Sequence, residues 1–168
     1  PYERAKRLAE GASLIDRYFD EKLDQEVFAT LSKGCYRPVF EALLIMINGS
    51  KSASSPFKAT LNFSGPFLEQ AVRYDPDLVN LLKKLVDTKM VELVGGTQFY
   101  SLASLYPDGR DEFVEQAKAH REYVKKLFGV ETKVFANTGY IYNDEVGKSA
   151  EAMGFEGLLA EGVDRALE

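Results

Sequence analysis

The sequence predicts an α/β fold in which short parallel strands alternate with crossover helices. Four apolar segments have the length and composition of strands: residues 57–63, 90–94, 133–135 and 157–160. Their centres, near residues 60, 92, 134 and 158, are 32, 42 and 24 residues apart, and segments of helical periodicity fill the gaps. Such separations are typical of βαβ units, whose strands are parallel.

Two helices are predicted before the first strand. Asp24 is the expected N-cap of the first, which is expected to stop at Gly34. Pro38 is suited to the first position of the second helix. Residues 39–47 are almost wholly apolar, so this second helix is expected to be buried on nearly every side.

Helices are also predicted after each of the first three strands. Residues 64–66 lead into one, and the Asp-Pro pair at 75–76 begins another. A long amphipathic helix is predicted over residues 111–128, with Gly129 at its end, and Asn143 is expected to cap the next.

Composition limits the classes of function. A chain of 168 residues with 45% hydrophobic content is expected to form one domain over residues 1–168 with a real core. No apolar run approaches the ~18 residues of a membrane span, and residues 1–10 are too charged for a signal peptide. We therefore expect no membrane partner. A net charge of −5 argues against nucleic acid as a partner.

Cys35 and His120 are the only cysteine and the only histidine. The chain is therefore expected to have no internal disulfide, no Cys/His metal site and no cofactor. A compartment that needs no disulfides, the cytoplasm, is the expected location. His120 lies near the apolar stripe of the long helix, which favours a packing role over a catalytic one.

In parallel α/β sheets, functional residues lie in the loops at the carboxyl ends of the strands. Here those loops are residues 64–65, 95–101, 136–143 and 161–164.

Motifs along nearly the whole chain resemble, in order, the N-terminal region of glycoside hydrolase family 57, the α-amylase-like group. The segments that carry the resemblance are residues 18–20, 27–28, 35–38, 63–70, 91–93, 101–105, 112–120, 127–129, 134–138, 141–143, 153–155 and 161–162. The resemblance implies an incomplete, seven-stranded (β/α) barrel that cleaves or transfers α-glucans with retention. It implies no bound cofactor.

The resemblance also implies that this chain corresponds to half of such a barrel. The family begins with a strand ending in His-Gln-Pro-Tyr, of which residues 1–2 would be the tail, and its acid/base aspartate lies on a later strand. Neither that first strand nor the later one is found in this sequence. We therefore expect a homo-oligomer, or a partner chain that completes the barrel.

The departures from the family pattern cluster in the predicted cleft. The family's nucleophile is the glutamate of Asn-Thr-Glu-Leu-Ile, and Gly139 stands at that position, with Ala136 in place of a usual arginine. Gly96 and Tyr100 stand where related members carry a glutamate and a histidine. Retaining hydrolysis needs two carboxyl groups about 5–5.5 Å apart, so the chain is expected to be inactive as it stands.

The residues expected to bind substrate lie in these loops. They are Gly96, Gln98, Tyr100, Asn137, Tyr140, Glu161 and Asp164. Alternatives stay open for several of them. Gly139 could be an ordinary loop glycine with a positive φ angle, the aromatic residues could pack the end of the sheet, and Asp164 could cap a helix.

Three functions follow from these observations. The leading one is a carbohydrate-related domain that binds an α-glucan or oligosaccharide without cleaving it. The alternative is a structural or protein-interaction module on the same scaffold, without affinity for sugar. The third is an active hydrolase that uses other carboxylates, such as Glu161 and Asp164.

Overall fold

Four short strands lie side by side in chain order. The computed structural model describes residues 20–106 and 109–162. The strands are β1 (Ala59–Asn62), β2 (Val91–Val94), β3 (Val134–Ala136) and β4 (Gly157–Leu159). β1 is parallel to β2, and β3 is parallel to β4. An isolated parallel bridge between Gly95 and Phe135 joins the two pairs, which confirms the predicted parallel α/β class.

Gly95 makes that junction possible. Its amide donates to the carbonyl of Val134, and its own carbonyl accepts from the amide of Ala136, each at 2.8 Å. A Cβ at residue 95 would lie 2.8 Å from the ring of Phe155 and 3.0 Å from the Thr132 hydroxyl. The close approach of β2 to β3 therefore requires a residue without a side chain at this position.

Six helices accompany the strands in the described residues. They are α1 (Glu21–Leu31), α2 (Arg37–Ser50), α3 (Gly65–Tyr74), α4 (Pro76–Asp87), α5 (Arg110–Phe128) and α6 (Asp144–Ala152). Asp75 and Asn143 cap α4 and α6 as predicted, and Ser64 caps α3, each accepting a backbone amide with its side chain. Gly129 ends α5 with a φ of 71°. Among the described residues, no helix is long and apolar enough to cross a bilayer.

The predicted boundaries of the first helix are wrong at both ends. Asp20, rather than Asp24, is the N-cap, with its carboxylate 3.2 Å from the amide of Leu23. The helical conformation does not end at Gly34. A π-helical turn, Ser32–Tyr36, connects α1 directly to α2. Contacts of Phe28 and Tyr36 with the core hold this turn in place, and they outweigh the weak helix propensity of one glycine.

The expectation that α2 is buried on every side is also wrong. Phe40 and Ile47 are buried, but Val39, Ile45 and Met46 are exposed. Only one side of α2 faces the core, because it lies on the outside of α4 rather than between two layers. The segment from Glu21 to Ser50, which we call the helical rod, is thus apolar on its inner side and also partly apolar on its outer side.

Two hydrophobic clusters hold the helices against one face of the strands. The larger joins β1 and β2 to α1–α4 and to the end of α5, and the smaller joins β3 and β4 to α5 and α6. On the other face, Thr60, Asn62 and Glu92 are exposed. Both clusters therefore place their helices on the face opposite these three residues.

The carboxylate of Asp75 joins the helical rod to the junction between α3 and α4. It accepts hydrogen bonds from the Ser32 hydroxyl, from the Arg37 guanidinium (Nε at 3.0 Å) and from the amide of Leu78 at 3.1 Å. Burial by itself would raise the pKa of Asp75. The hydrogen bonds from Ser32 and Arg37, the Leu78 amide and the charge of Arg37 together hold that pKa below its ordinary value of 3.8.

We expect Asp75→Ala to lower the free energy of unfolding at pH 7 by about 2–3 kcal/mol, because it removes a helix cap and leaves the Ser32 and Arg37 donors unpaired. Since the folded pKa is depressed, this stability is present above the unfolded pKa and is lost as the pH falls through the folded pKa. Urea unfolding at several pH values measures both effects. Asp77→Ala, an exposed acid in the same helical turn, should change stability by less than about 0.5 kcal/mol. Equal losses in the two variants would contradict the role of Asp75.

Candidate functional site

A cleft of about 470 Å³ opens at the carboxyl ends of β1, β2 and β3. Its lining residues come from three loops and strand ends: Asn62, Ser64, Tyr100, Ala136, Asn137 and Tyr140. All six side chains are uncharged. The cleft lies at the edge of the sheet where parallel α/β proteins place their functional residues.

His120, on α5, fixes the floor of this region. It is fully buried, its Nδ1 accepts the amide of Gly96 at 3.2 Å, and its Nε2 lies 2.7 Å from the carbonyl of Phe63. These two partners require a neutral ring with the proton on Nε2. Burial lowers the pKa of His120 below 6.5, although the hydrogen bond to Phe63 acts in the opposite direction. The predicted packing role of this histidine is confirmed.

Hydroxyl groups connect the loops that follow β2 and β3. The Thr97 and Thr138 hydroxyls are 3.2 Å apart, and the Thr97 hydroxyl also accepts the amide of Ser101 at 2.9 Å. The amide of Gly139 donates to the hydroxyl of Tyr100 at 3.4 Å. These contacts bring Tyr100 and the loop of Tyr140 to the same cleft.

Tyr100 and Tyr140 both have left-handed backbones, with φ angles of 54° and 56°. Bulky residues rarely adopt this conformation, which costs on the order of 1–2 kcal/mol for each residue. Both side chains are more than half exposed at the cleft, so burial of the rings does not repay the strain. Strain of this kind is concentrated at ligand-binding and catalytic sites.

Gly139 and Gly96 differ in whether their backbone conformation requires glycine. Gly139 has a φ of 62°, which is the conformation that the ordinary loop-glycine alternative requires. Gly96 has no such constraint. A Cβ there would come no closer than 3.4 Å to the Ala136 carbonyl and 3.5 Å to the Asn62 amide, which are ordinary contacts. The backbone at Gly96 therefore has room for a side chain.

Asn137 has an acceptor that no described residue satisfies. Its side chain is 2% exposed, and its Nδ2 donates to the Ser104 hydroxyl at 2.9 Å and to the Ile141 carbonyl at 3.0 Å. Its Oδ1 is buried without a hydrogen-bond partner among the described residues. The Nδ2 hydrogen bonds of Asn137 tie the loop after β3 to Ser104 and Ile141.

The other predicted binding residues lie outside the cleft lining. Gln98 is 8% exposed, and its amide rests against Gly65 and donates to the Glu69 carboxylate at 3.0 Å. Gly96 lies between β1 and β3. Glu161 is exposed after β4, with its amide 3.2 Å from the Tyr140 carbonyl. Asp164 lies outside the described residues.

Three lining residues, Asn62, Ser64 and Ala136, were not among the predicted binding residues. Asn62 is the last residue of β1 and donates from Nδ2 to the carbonyl of Gly95 at 3.3 Å, and Ser64 caps α3. The signal that could have found them is position, since each lies at the carboxyl end of a strand or in the loop that follows it. The exposed ring of Phe99, by contrast, lies in a separate groove beside α5.

The described lining of the cleft offers hydroxyl and amide groups that can bind a ligand. It contains no carboxylate, imidazole or thiol, and His120 has both ring nitrogens occupied. Within residues 20–106 and 109–162, no three His, Cys, Asp or Glu side chains converge as metal ligands.

Comparison with known proteins identifies the scaffold. The family model of Glycosyl hydrolase family 57 matches residues 6–168. The chain belongs to this family. A family 57 origin explains why the loops around the cleft follow the ends of parallel strands.

Two curated relatives are similar to this family 57 chain. It is 38% identical over 157 residues to the "Putative alpha-amylase" of Methanocaldococcus jannaschii, covering 94% of this chain and 32% of that protein. It is 25% identical over 135 residues to the 4-alpha-glucanotransferase of Thermococcus litoralis, covering 80% of this chain and 19% of that protein. The chain thus spans about a third of the first relative and about a fifth of the second.

The fold is similar to solved structures. The crystal structure of the Thermococcus litoralis 4-alpha-glucanotransferase matches with a TM-score of 0.67, over 80% of this chain and 20% of that one, at 25% identity. A CE4 family pseudoenzyme from Bacillus anthracis matches with a TM-score of 0.58 at 15% identity, over 75% of this chain and 40% of that one. At that identity, the second match concerns the fold alone.

We expect His120→Leu to lower the free energy of unfolding of the family 57 chain by about 2–4 kcal/mol at pH 7.5, because the Gly96 amide and the Phe63 carbonyl lose their partner. The pKa of this histidine is depressed in the folded chain, so its stabilising effect is full above about 6.5 and decreases as the pH falls through the folded pKa. The stability gap between wild type and variant should therefore narrow between pH 7.5 and pH 5. Denaturant unfolding measures the gap, and NMR titration of the single imidazole gives the folded pKa directly. A gap that stays constant would contradict this account.

Proposed function

We propose that this chain is an α-glucan-binding domain of the family 57 type that does not cleave its ligand as it stands. The observation that carries the proposal is the uncharged lining of the cleft: two half-exposed tyrosines, the polar residues Asn62, Ser64 and Asn137, and no carboxylate among the described residues. Sugars are recognised by aromatic faces and by amide or hydroxyl groups. The cleft offers both.

We infer the absence of cleavage from the lack of paired carboxyl groups in the cleft. Retention needs a nucleophile and an acid about 5–5.5 Å apart. Gly139, at the position that the resemblance assigns to the nucleophile, offers neither a lone pair nor a charge. Gly96 and Tyr100 stand where related members are expected to carry a glutamate and a histidine, and the room for a side chain at Gly96 fits a lost one. Glu161, exposed after β4, is not among the residues that line the cleft.

Roles for the predicted residues follow from their positions. Tyr100 and Tyr140 are the stacking surfaces, and Asn137 supports the loop after β3 through its hydrogen bonds to Ser104 and Ile141. Gln98 acts indirectly, because its backbone carbonyl accepts the Gly65 amide at 2.8 Å and so holds the β1 and β2 loops together. Gly96 has no side chain, so it leaves space for the ligand at the floor of the cleft. Glu161 and Asp164 are proposed to meet the ligand at the open end beyond β4.

We also propose that the domain is half of a (β/α) barrel. Within the described residues, β1 and β4 each pair on one side only, and Thr60, Asn62 and Glu92 leave one face of the sheet uncovered. Parallel sheets are normally covered on both faces. Further strands, outside the described residues or from another chain, would pair with these edges. The exposed edges also support the second candidate function, an interaction module on the same scaffold.

Binding without hydrolysis is the first expected outcome. Calorimetric titration with maltoheptaose should detect binding, and no reducing sugar should be released on long incubation. Tyr100→Ala and Tyr140→Ala should each weaken binding at least tenfold, or about 1.4 kcal/mol. Phe99→Ala is the matched control, since this exposed ring lies outside the cleft. Failure of the wild type to bind would overturn the proposal in favour of the interaction module.

Gly139→Glu alone should not restore turnover. The new carboxylate would stand at the end of β3 on a left-handed backbone, at a cost of about 1 kcal/mol, and without a proton donor opposite it. With an activated glucosyl fluoride, whose leaving group needs little protonation, intact mass should reveal a stable adduct on the introduced glutamate. Gly139→Gln, of the same size and without a charge, should give no adduct. Multiple turnover of maltooligosaccharides by Gly139→Glu would contradict the inactive assignment.

A further inference from the structure

A second cavity, of about 180 Å³, lies beside the cleft. Its lining comes from a 3₁₀ turn, Ala103–Leu105, and from the starts of α5 and α6. Asn137 lines the cleft and donates from Nδ2 at 2.9 Å to the hydroxyl of Ser104, which lines the second cavity. One pair of hydrogen-bonded side chains therefore connects the lining of one cavity to the lining of the other.

Gly109 allows the 3₁₀ turn to lie directly against the start of α5. A Cβ at this position would overlap the carbonyl oxygen of Ala103. The amide of Gly109 also donates to the carbonyl of Tyr106 at 3.0 Å. These contacts fix Tyr106 and the preceding turn relative to Arg110, which is the first residue of α5.

The second cavity combines apolar surface with charged groups. Phe113 and Val146 are each 2% exposed beneath it, whereas the ring of Tyr106 is 66% exposed. Arg110 and Glu145 form an ion pair at 2.9 Å, and both side chains are more than half exposed. Ligand sites in proteins typically have such an apolar surface with a small number of polar groups that orient the ligand.

The ion pair offers hydrogen-bond donors and acceptors side by side. The Arg110 guanidinium has five N–H donors in a planar fork, and within the described residues its polar partner is Glu145. A hydrogen bond from Lys148, with the charges of Lys148 and Arg110, lowers the pKa of Glu145 below its ordinary value, so this carboxylate is ionised at neutral pH. It disfavours an anionic ligand at Arg110. A sugar is uncharged and each of its hydroxyls both donates and accepts, so neighbouring hydroxyls suit both groups.

We propose that the second cavity is an additional glucosyl-binding subsite, onto which an α-glucan chain bound in the cleft continues. Tyr106 supplies a stacking face, and Arg110 and Glu145 bind hydroxyls. The inference rests on the proposed α-glucan-binding function and adds a preference for long chains to it. Only a chain that extends past Asn137 and Ser104 reaches the second cavity.

Calorimetric titration with maltotriose and with maltoheptaose tests this preference. The wild type should bind maltoheptaose about tenfold more tightly than maltotriose, because the longer chain gains the contacts of the second cavity. Arg110→Ala and Tyr106→Ala should each weaken maltoheptaose binding roughly fivefold, the usual effect of one lost hydrogen bond or aromatic contact, and leave maltotriose binding unchanged. Lys133→Ala is the matched control, since the exposed Lys133–Glu156 ion pair has a similar distance of 2.8 Å and lines neither cavity.

The possible outcomes distinguish this subsite from the proposed function. Equal affinity of the wild type for both sugars, or variants at Arg110 and Tyr106 that weaken both sugars alike, would overturn the subsite and leave binding at the cleft intact. Failure of both sugars to bind the wild type would overturn the proposed function and the subsite together. Circular dichroism of each variant checks that it is folded. As a direct readout, the NMR signal of the Arg110 Nε–H group should shift with maltoheptaose and not with maltotriose.

Discussion

The cleft depends on the closure of the sheet at its carboxyl edge, and two contacts provide that closure. The imidazole of His120 joins the ends of β1 and β2 by holding the Phe63 carbonyl and the Gly96 amide. One residue earlier, Gly95 joins β2 to β3 through two backbone hydrogen bonds of 2.8 Å. Both contacts lie directly after the last residue of β2, so they fix the position at which the loop of Tyr100 begins. A neutral histidine suits this place, since both of its ring nitrogens are used and burial disfavours the charged form.

The loops at this edge are held together by hydrogen bonds, and the cleft that they form has an uncharged lining. The hydroxyls of Thr97, Thr138 and Tyr100 connect the loops after β2 and β3. Tyr100 and Tyr140, in these loops, have strained left-handed backbones. Such strain persists where surrounding contacts over-determine the backbone. Family membership accounts for the scaffold. The proposed binding role rests on the uncharged lining, because retaining glucan cleavage needs paired carboxyl groups.

Sequence patterns predicted most of the architecture in advance. Strand positions, parallel pairing and the caps Asp75 and Asn143 depend on local chemistry and on spacing along the chain, so they could be predicted from the sequence. The extent of the helical rod could not be predicted from the sequence. Gly34 has a weak helix propensity, and only the packing of Phe28 and Tyr36 against other helices overrides it. The Asp75 carboxylate, 43 residues from Ser32 and 38 from Arg37, belongs to the same category.

The candidate site divides in the same way. The sequence by itself determined which loops meet at the functional edge and that Tyr100, Asn137 and Tyr140 lie in them, because parallel strands bring their carboxyl ends together. Only the tertiary structure decided that Gln98 turns toward Gly65 and Glu69, that Asn62 and Ser64 complete the lining, and that α2 leaves Val39 and Met46 exposed. Each of these depends on which element lies across from a side chain. A periodic pattern gives the directions of side chains around their own element, but it does not give the neighbours that will cover them.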